Sequence, residues 1–251
     1  MRKIIEEKLK EIERSDGVRI LYSSEAGSRA WGFDSPDSDY DVRFVYVRAA
    51  EEYLRLDKPR DVIEWQLDET LDINGWDLSK ALGLLHKSNM TLFEWNASPI
   101  VYKSTKEWEK ISPALASYFN VRAALSHYLG IAERNYSQYL SGERVRLKKY
   151  FYALRPLLAC ASIIKNGTPP PITLDRLIGE CPNMSVRGEI ERLLLKKRSA
   201  TELGESERVA LLDSYIRENI SAVRARINSL PQAESKGFKE LNSLFISVVT
   251  G

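Results

Sequence analysis

GSRAWGFDSPDSDYDVRFVYV, residues 27–47, joins a polar, glycine-bearing stretch to a run that reads as a strand. In that run Val42, Phe44 and Tyr46 share one face and Arg43, Val45 and Val47 the other, the alternation of a strand between two unlike surfaces. Carried back through Asp39-Tyr40-Asp41, the same geometry points Asp39 and Asp41 the same way, a few ångströms apart. Carboxylates that close repel, and raise each other's pKa unless a cation sits between them. Mg2+ (or Mn2+) is a hard cation that takes one or two carboxylates and completes its shell with phosphate oxygens and water. A metal pair so held activates an attacking hydroxyl and neutralises charge on a departing pyrophosphate.

Gly27-Ser28 supplies the complement. A glycine ahead of a short helical turn lets backbone N–H groups form an anion-binding nest, with the serine hydroxyl as a further donor. The run VRILY, residues 18–22, reads as a short buried strand just before it. On the loop between the two strands, Gly27 and Ser28 are placed to hold a triphosphate over the carboxylates. A lone Gly-Ser is background, and a lone Asp-x-Asp occurs by chance. The two in this order, twelve residues from Gly27 to Asp39 with apolar strands before and after, are much more specific.

Around this motif the composition is that of a globular protein, 43% hydrophobic and 29% charged over 251 residues, enough for one large domain or two small ones. The net charge of +2 conceals a partition: residues 1–100 carry 14 basic and 20 acidic side chains, residues 101–251 carry 23 and 15. An acidic part joined to a basic part suggests two working surfaces, the basic one suited to a polyanion. No apolar run approaches the ~18–20 residues of a membrane span. The opening MRKIIEEKLKEIE alternates charged and apolar residues without the apolar core of a signal peptide, so a cytoplasmic location and no membrane partner are expected. Two cysteines, Cys160 and Cys181, and two histidines, His86 and His127, make neither a disulfide framework nor a zinc site.

Residues 2–14 place Ile5, Leu9 and Ile12 at helical spacing, and Ser15-Asp16-Gly17 turns the chain. Further strands are expected at 62–67 and around 70–73, then a helix from Asp77 with Leu78, Ala81, Leu82 and Leu85 on one stripe. After Pro99, helical periodicity dominates: roughly 114–140, 147–165, 185–198, 207–228 and 238–249. Pro169-Pro170-Pro171 breaks the run, and Thr173 is placed to cap the short helix after it. The expectation is an α+β protein, with an N-terminal sheet-bearing domain at 1–104 and a helical domain at 105–251.

The stretch 27–47 resembles the signature of the DNA polymerase β-like nucleotidyltransferase superfamily, an apolar residue with Gly-Gly or Gly-Ser followed by two acids one residue apart. The blocks LDINGWDLSKAL (71–82), KSNMTLFEWNASPIVY (87–102) and LKKYFYALRPLLA (147–159) resemble its RNA-repair-pathway, RNA-ligase-associated subfamily. Together they span roughly residues 18–175, about two-thirds of the chain, in the family's order.

The resemblance implies the nucleotidyltransferase fold, a small mixed sheet flanked by helices with a helical substrate domain behind it. It implies that Asp39 and Asp41 bind metal and that Gly27 and Ser28 bind the triphosphate of an NTP. A third carboxylate on a neighbouring strand is usual, acting as base or orienting the acceptor hydroxyl. Asp72 ends the strand-like ETLDI, beside which the Asp39–Asp41 strand could lie; Asp77 heads a helix, where an N-cap acid is the bland reading. That placement favours Asp72.

Residues 143–155 (ERVRLKKYFYALR) carry five basic residues against one acid. On a helix, Lys148, Tyr152 and Arg155 share a face suited to a triphosphate and a stacked base, or form an ordinary solvated face. Lys149 could take the place of Lys148. Arg29 could reach a phosphate or pin its loop through Asp34 or Asp37, Trp31 reads as a packing anchor, and Lys80 could approach the metal site or cap a surface. The expected activity is metal-dependent transfer of an NMP from an NTP to an acceptor hydroxyl. The subfamily points to an RNA or tRNA 3′ end as acceptor; a small molecule, a protein side chain, or a catalytically silent nucleotide sensor are the alternatives. Oligomeric state is open.

Overall fold

The computed structural model describes residues 1–66, 70–199, 205–232 and 236–251. Helix α1 (Arg2–Ser15) leads into β1 (Arg19–Glu25), the short turn α2 (Gly27–Ala30) and β2 (Tyr40–Val47). Next come α3 (Ala50–Leu54), β3 (Val62–Gln66), β4 (Leu71–Asp77), α4 (Leu78–His86), α5 (Met90–Asn96) and β5 (Val101–Ser104). The chain continues through α6 (Lys106–Ile111), α7 (Ala114–Tyr118), α8 (Val121–Tyr139), β6 (Arg144–Arg146), α9 (Lys148–Asn166) and α10 (Leu174–Glu180). It ends with α11 (Met184–Ser199), β7 (Glu205–Glu207), α12 (Ala210–Ser229) and α13 (Lys239–Val249). The fold is α+β, as expected; Leu67, the expected end of one strand, lies outside the described residues.

By contact, the described residues form two units, 1–30 with 39–118 and 236–251, and 31–38 with 119–232. Residues 105–118 and 236–251 thus belong with the sheet, on the other side of the expected division at 104/105. The loop 31–38, inside the stretch 27–47, belongs with the helical unit.

The first unit is built on a five-stranded mixed sheet in the order β3-β4-β2-β1-β5. Strands β1–β2, β1–β5 and β3–β4 are antiparallel, whereas β2 and β4 run parallel, with Asp41 opposite Asp72 and Phe44 opposite Gly75. Ile5, Leu9 and Ile12 of α1 bury against Val42, Phe44, Tyr46 and Ile73 on one sheet face, each contributing about 1.5–3 kcal/mol. On β4, a Cβ at Gly75 would fall 2.1 Å from the Phe44 ring, so the missing side chain is what lets that ring fill the core. Helices α4 and α5 also pack in this unit, where Trp76 meets Trp95 at 4.0 Å. Helix α13 packs on α4 and α6, with Phe245 edge-on to Tyr53.

The second unit packs α8, α9 and α12 together, with α10 on α9 and α11 on α12. The expected helix 114–140 divides into α7 and α8 because Asn120 caps α8, its side chain accepting from the Ala123 N–H. The basic stretch 143–155 starts ahead of the expected helix 147–165, which is α9. The first part of that stretch is β6, paired antiparallel with β7 so that Arg144 faces Glu207 and Arg146 faces Glu205. Opposite charges across the pair leave the basic excess of this stretch to α9. Thr173 holds the N-cap position of α10 without a side-chain capping bond.

Candidate active site

Strand β1 runs three residues beyond the apolar VRILY, and the polar extension is fully buried: Ser23, Ser24 and Glu25 are each 0% exposed. The chain then turns at Gly27, whose φ is +60°, in the left-handed region that favours glycine. A Cβ there would stand 1.9 Å from Asp41 Oδ2. Gly27 is thus required twice, for its backbone angle and for the carboxylate pressed against it. The Ala26 N–H donates to the Asp41 carbonyl at 2.7 Å, tying the turn to β2. Ser28, on α2, is nearly buried.

Asp41 and Asp72 stand opposite each other on the parallel strands β2 and β4. Arg43, two residues along β2 and on the same face as Asp41, reaches across to both. Its Nη2 donates to Asp41 Oδ1 at 2.9 Å and to Asp72 Oδ2 at 2.8 Å. Its Nη1 donates to the carbonyls of Val42 and Asp72. Burial pushes the Asp41 carboxyl above its ordinary value, Arg43 opposes this, and the charges of Asp72 and Asp39 add to the rise. Repulsion between Asp39 and Asp41 leads one to expect a cation between those two; the guanidinium lies instead between Asp41 and Asp72.

Asp39 departs from the expected geometry. It precedes the first residue of β2, and its side chain is exposed. Its carbonyl accepts from Arg29 Nε at 3.1 Å, and the Arg29 guanidinium covers the Tyr40 ring at 3.8 Å. Arg29 thereby holds the entry to β2. Among the described residues, no group of three or more His, Cys, Asp and Glu side chains is placed to hold a metal ion. The close acidic pair is Asp41 with Asp72, across strands, and Asp39 lies beside it at the mouth of β2. Asp77 is the N-cap of α4, accepting from the Ser79 N–H and from the Tyr53 hydroxyl.

Glu25 is the neighbour that the sequence reading missed. Its Oε1 accepts from the Asp41 N–H at 2.8 Å, and its Oε2 accepts from the Tyr102 hydroxyl. Burial raises its carboxyl above the usual range, while those two hydrogen bonds act the other way. A glutamate two residues before the glycine turn, at the end of an apolar strand, was the signal available.

The remaining expected residues lie in the second unit. Lys148 and Tyr152 are half-buried on α9, and Lys149 sits over the Tyr139 ring at 3.8 Å. Arg155 differs from the expected accessible face: it is 4% exposed, donates through Nε and Nη2 to the Ile172 carbonyl, and stacks on Trp31 at 4.3 Å. Trp31 is a packing anchor, as read. Lys197, 6% exposed, donates to the Phe33 carbonyl, so the loop 31–38 is held by two buried cations. In the first unit Lys80 pairs with Asp61 at 2.9 Å, and His86 stacks on Phe238. Cys160 is buried, and desolvation pushes its thiol up to about 12.

The site thus combines a glycine turn against one carboxylate with a second carboxylate in register on the next strand. The sequence pattern of the RNA repair pathway DNA polymerase beta family matches residues 1–247. The chain belongs to that family. It is also 41% identical to the uncharacterized protein YcgL of Bacillus subtilis (strain 168) over 251 residues, covering 99% of this chain and 96% of that protein. RNA repair pathway DNA polymerase beta proteins are polymerase β-like nucleotidyltransferases, a class that typically uses divalent metal ions and NTPs. The donor chemistry here fits such an ion: Asp41 and Asp72 offer hard carboxylate oxygens side by side, with Asp39 adjacent. Among the described residues no helix is long and apolar enough to cross a membrane.

Proposed function

We propose that this chain transfers an NMP from an NTP to the 3′ hydroxyl of an RNA, releasing pyrophosphate. The observation that carries the reading is the Asp41–Asp72 pair on parallel strands, closed on one side by the Gly27 turn. Family membership supports the reaction class. The basic excess of residues 101–251 suits a polyanionic acceptor.

Asp39, Asp41 and Asp72 would hold Mg2+ or Mn2+, which when bound supplies charge neutralisation at the α-phosphate and the departing pyrophosphate. Gly27 and Ser28 bind the triphosphate through backbone N–H groups and the serine hydroxyl. Arg29 positions that turn against Asp39. As the acceptor oxygen bonds to the α-phosphorus, the bond from that phosphorus to the β-phosphate bridging oxygen breaks. The hydroxyl proton passes to a carboxylate oxygen of Asp72. Within the helical unit, Lys148 and Tyr152 of α9 offer a cation and an aromatic ring suited to phosphate and base, while Arg155 acts through Trp31 by holding the loop 31–38. The first unit bears the chemistry, and the helical unit binds substrate.

The test is incubation with each labelled NTP, Mg2+ or Mn2+, and RNA, tRNA or no acceptor, beside Asp41→Asn. Label on RNA that disappears in the variant supports the proposal. Label on the protein or on small molecules only, or NTP binding without transfer, refutes the RNA acceptor.

A further inference from the structure

Arg43 makes an unusual set of contacts for a strand residue. One nitrogen, Nη2, bonds to one oxygen of each facing carboxylate, 2.9 Å to Asp41 and 2.8 Å to Asp72. The other, Nη1, bonds to two backbone carbonyls, one on each strand. The side chain is only 18% exposed. The two functions of the guanidinium are therefore separable: Nη1 anchors it to the sheet, and Nη2 neutralises the carboxylates. Asp41 is committed on both sides, with Oδ1 on Arg43 and Oδ2 against the Gly27 backbone.

Resting on the metal reading above, we infer that Arg43 is a resident counter-cation, a positioning residue that holds Asp41 and Asp72 together in the metal-free chain and competes with the divalent ion for them. Without it, two like charges in direct register repel. With it, the pair stays aligned, and an arriving ion meets carboxylates already partly neutralised. Metal affinity of the free chain is set below what the carboxylates alone would give. A plain clasp between β2 and β4 would contribute the same hydrogen bonds but would leave metal affinity unchanged when removed.

Mn2+ alone, titrated into the full chain and followed by its paramagnetic resonance signal, separates these cases. Wild type should bind Mn2+, and Asp41→Asn should not. Arg43→Gln should melt at lower temperature without metal, bind Mn2+ on the order of tenfold tighter because a neighbouring cation is gone, and gain more in Tm from Mn2+ than wild type. Arg43→Lys keeps the charge and drops the fork, and should tighten binding by a smaller factor; it serves if Arg43→Gln does not fold. Mn2+ binding that Asp41→Asn abolishes but neither Arg43 variant tightens overturns this inference alone. No Mn2+ binding to wild type overturns the metal reading and this inference with it.

Discussion

The backbone of Gly27 and the carboxylate of Asp41 approach so closely that a Cβ on Gly27 would stand 1.9 Å from Oδ2. Gly27→Ala must therefore shift either the turn or the carboxylate, and it also forces an L side chain into positive φ, a strain of about 1–2 kcal/mol. Transfer should fall by about two orders of magnitude, since small misplacements of a reacting group cost that much. Single-turnover rates beside a thermal melt check this; a variant that keeps wild-type rates would show that the contact is irrelevant to chemistry.

Asp72 and Asp77 lie on the same strand and should behave differently. Asp72→Asn removes the carboxylate that faces Asp41, and transfer should be lost with little change in Tm. Asp77→Ala removes the cap of α4 and the partner of Tyr53. It should lower stability by about 1 kcal/mol or more, with transfer retained. Paired measurements of urea midpoint and activity distinguish them, and exchanged outcomes would move the third carboxylate to Asp77.

Glu25 supports Asp41 from behind. Glu25→Ala leaves the Asp41 N–H buried without its acceptor, costing about 1–3 kcal/mol, and transfer should drop with KM for NTP nearly unchanged. Glu25→Gln keeps an acceptor oxygen and should recover most of both losses. Equal damage from the two variants would refute a role through hydrogen bonding.

Lys197 makes a pH-dependent contribution. Burial pushes its ammonium below the usual 10.5 of lysine, with Asp34 and Asp37 opposing. The unfolded chain then binds the proton more tightly than the folded one, so stability rises with pH from the depressed folded value up to 10.5. Lys197→Met abolishes that rise. Denaturant midpoints of both proteins at several alkaline pH values give the comparison, and a difference independent of pH would contradict the burial account.

Local pattern made much of this legible. The alternation in residues 40–47 assigns Val42, Phe44 and Tyr46 to the core, and the spacing in residues 2–14 supplies the helix that covers them. What escaped was set by long-range pairing. That Arg43 reaches Asp72 depends on β2 and β4 running parallel in that register, which no window around either residue contains. The polar tail of β1 looked like loop because its burial comes from β2 and β5 on either side and from α5, whose Trp95 carbonyl accepts from Ser24. Arg155 read as an accessible cation because its partners, Trp31 and Ile172, are distant or past a proline run. Glu205 and Glu207, which offset the arginines of β6, lie some sixty residues on.

Helix α13 joins the sheet-bearing unit although residues 119–232 come before it in the chain. A ribosome making this protein must therefore finish the whole helical unit before the sheet can receive its last helix. Until then the Tyr53 ring lacks its edge-on partner Phe245, and the Arg19 guanidinium lacks the Val248 carbonyl. The half of the molecule that starts first closes last, so a nascent chain holds Asp41 and Asp72 in an unfinished scaffold for most of its synthesis.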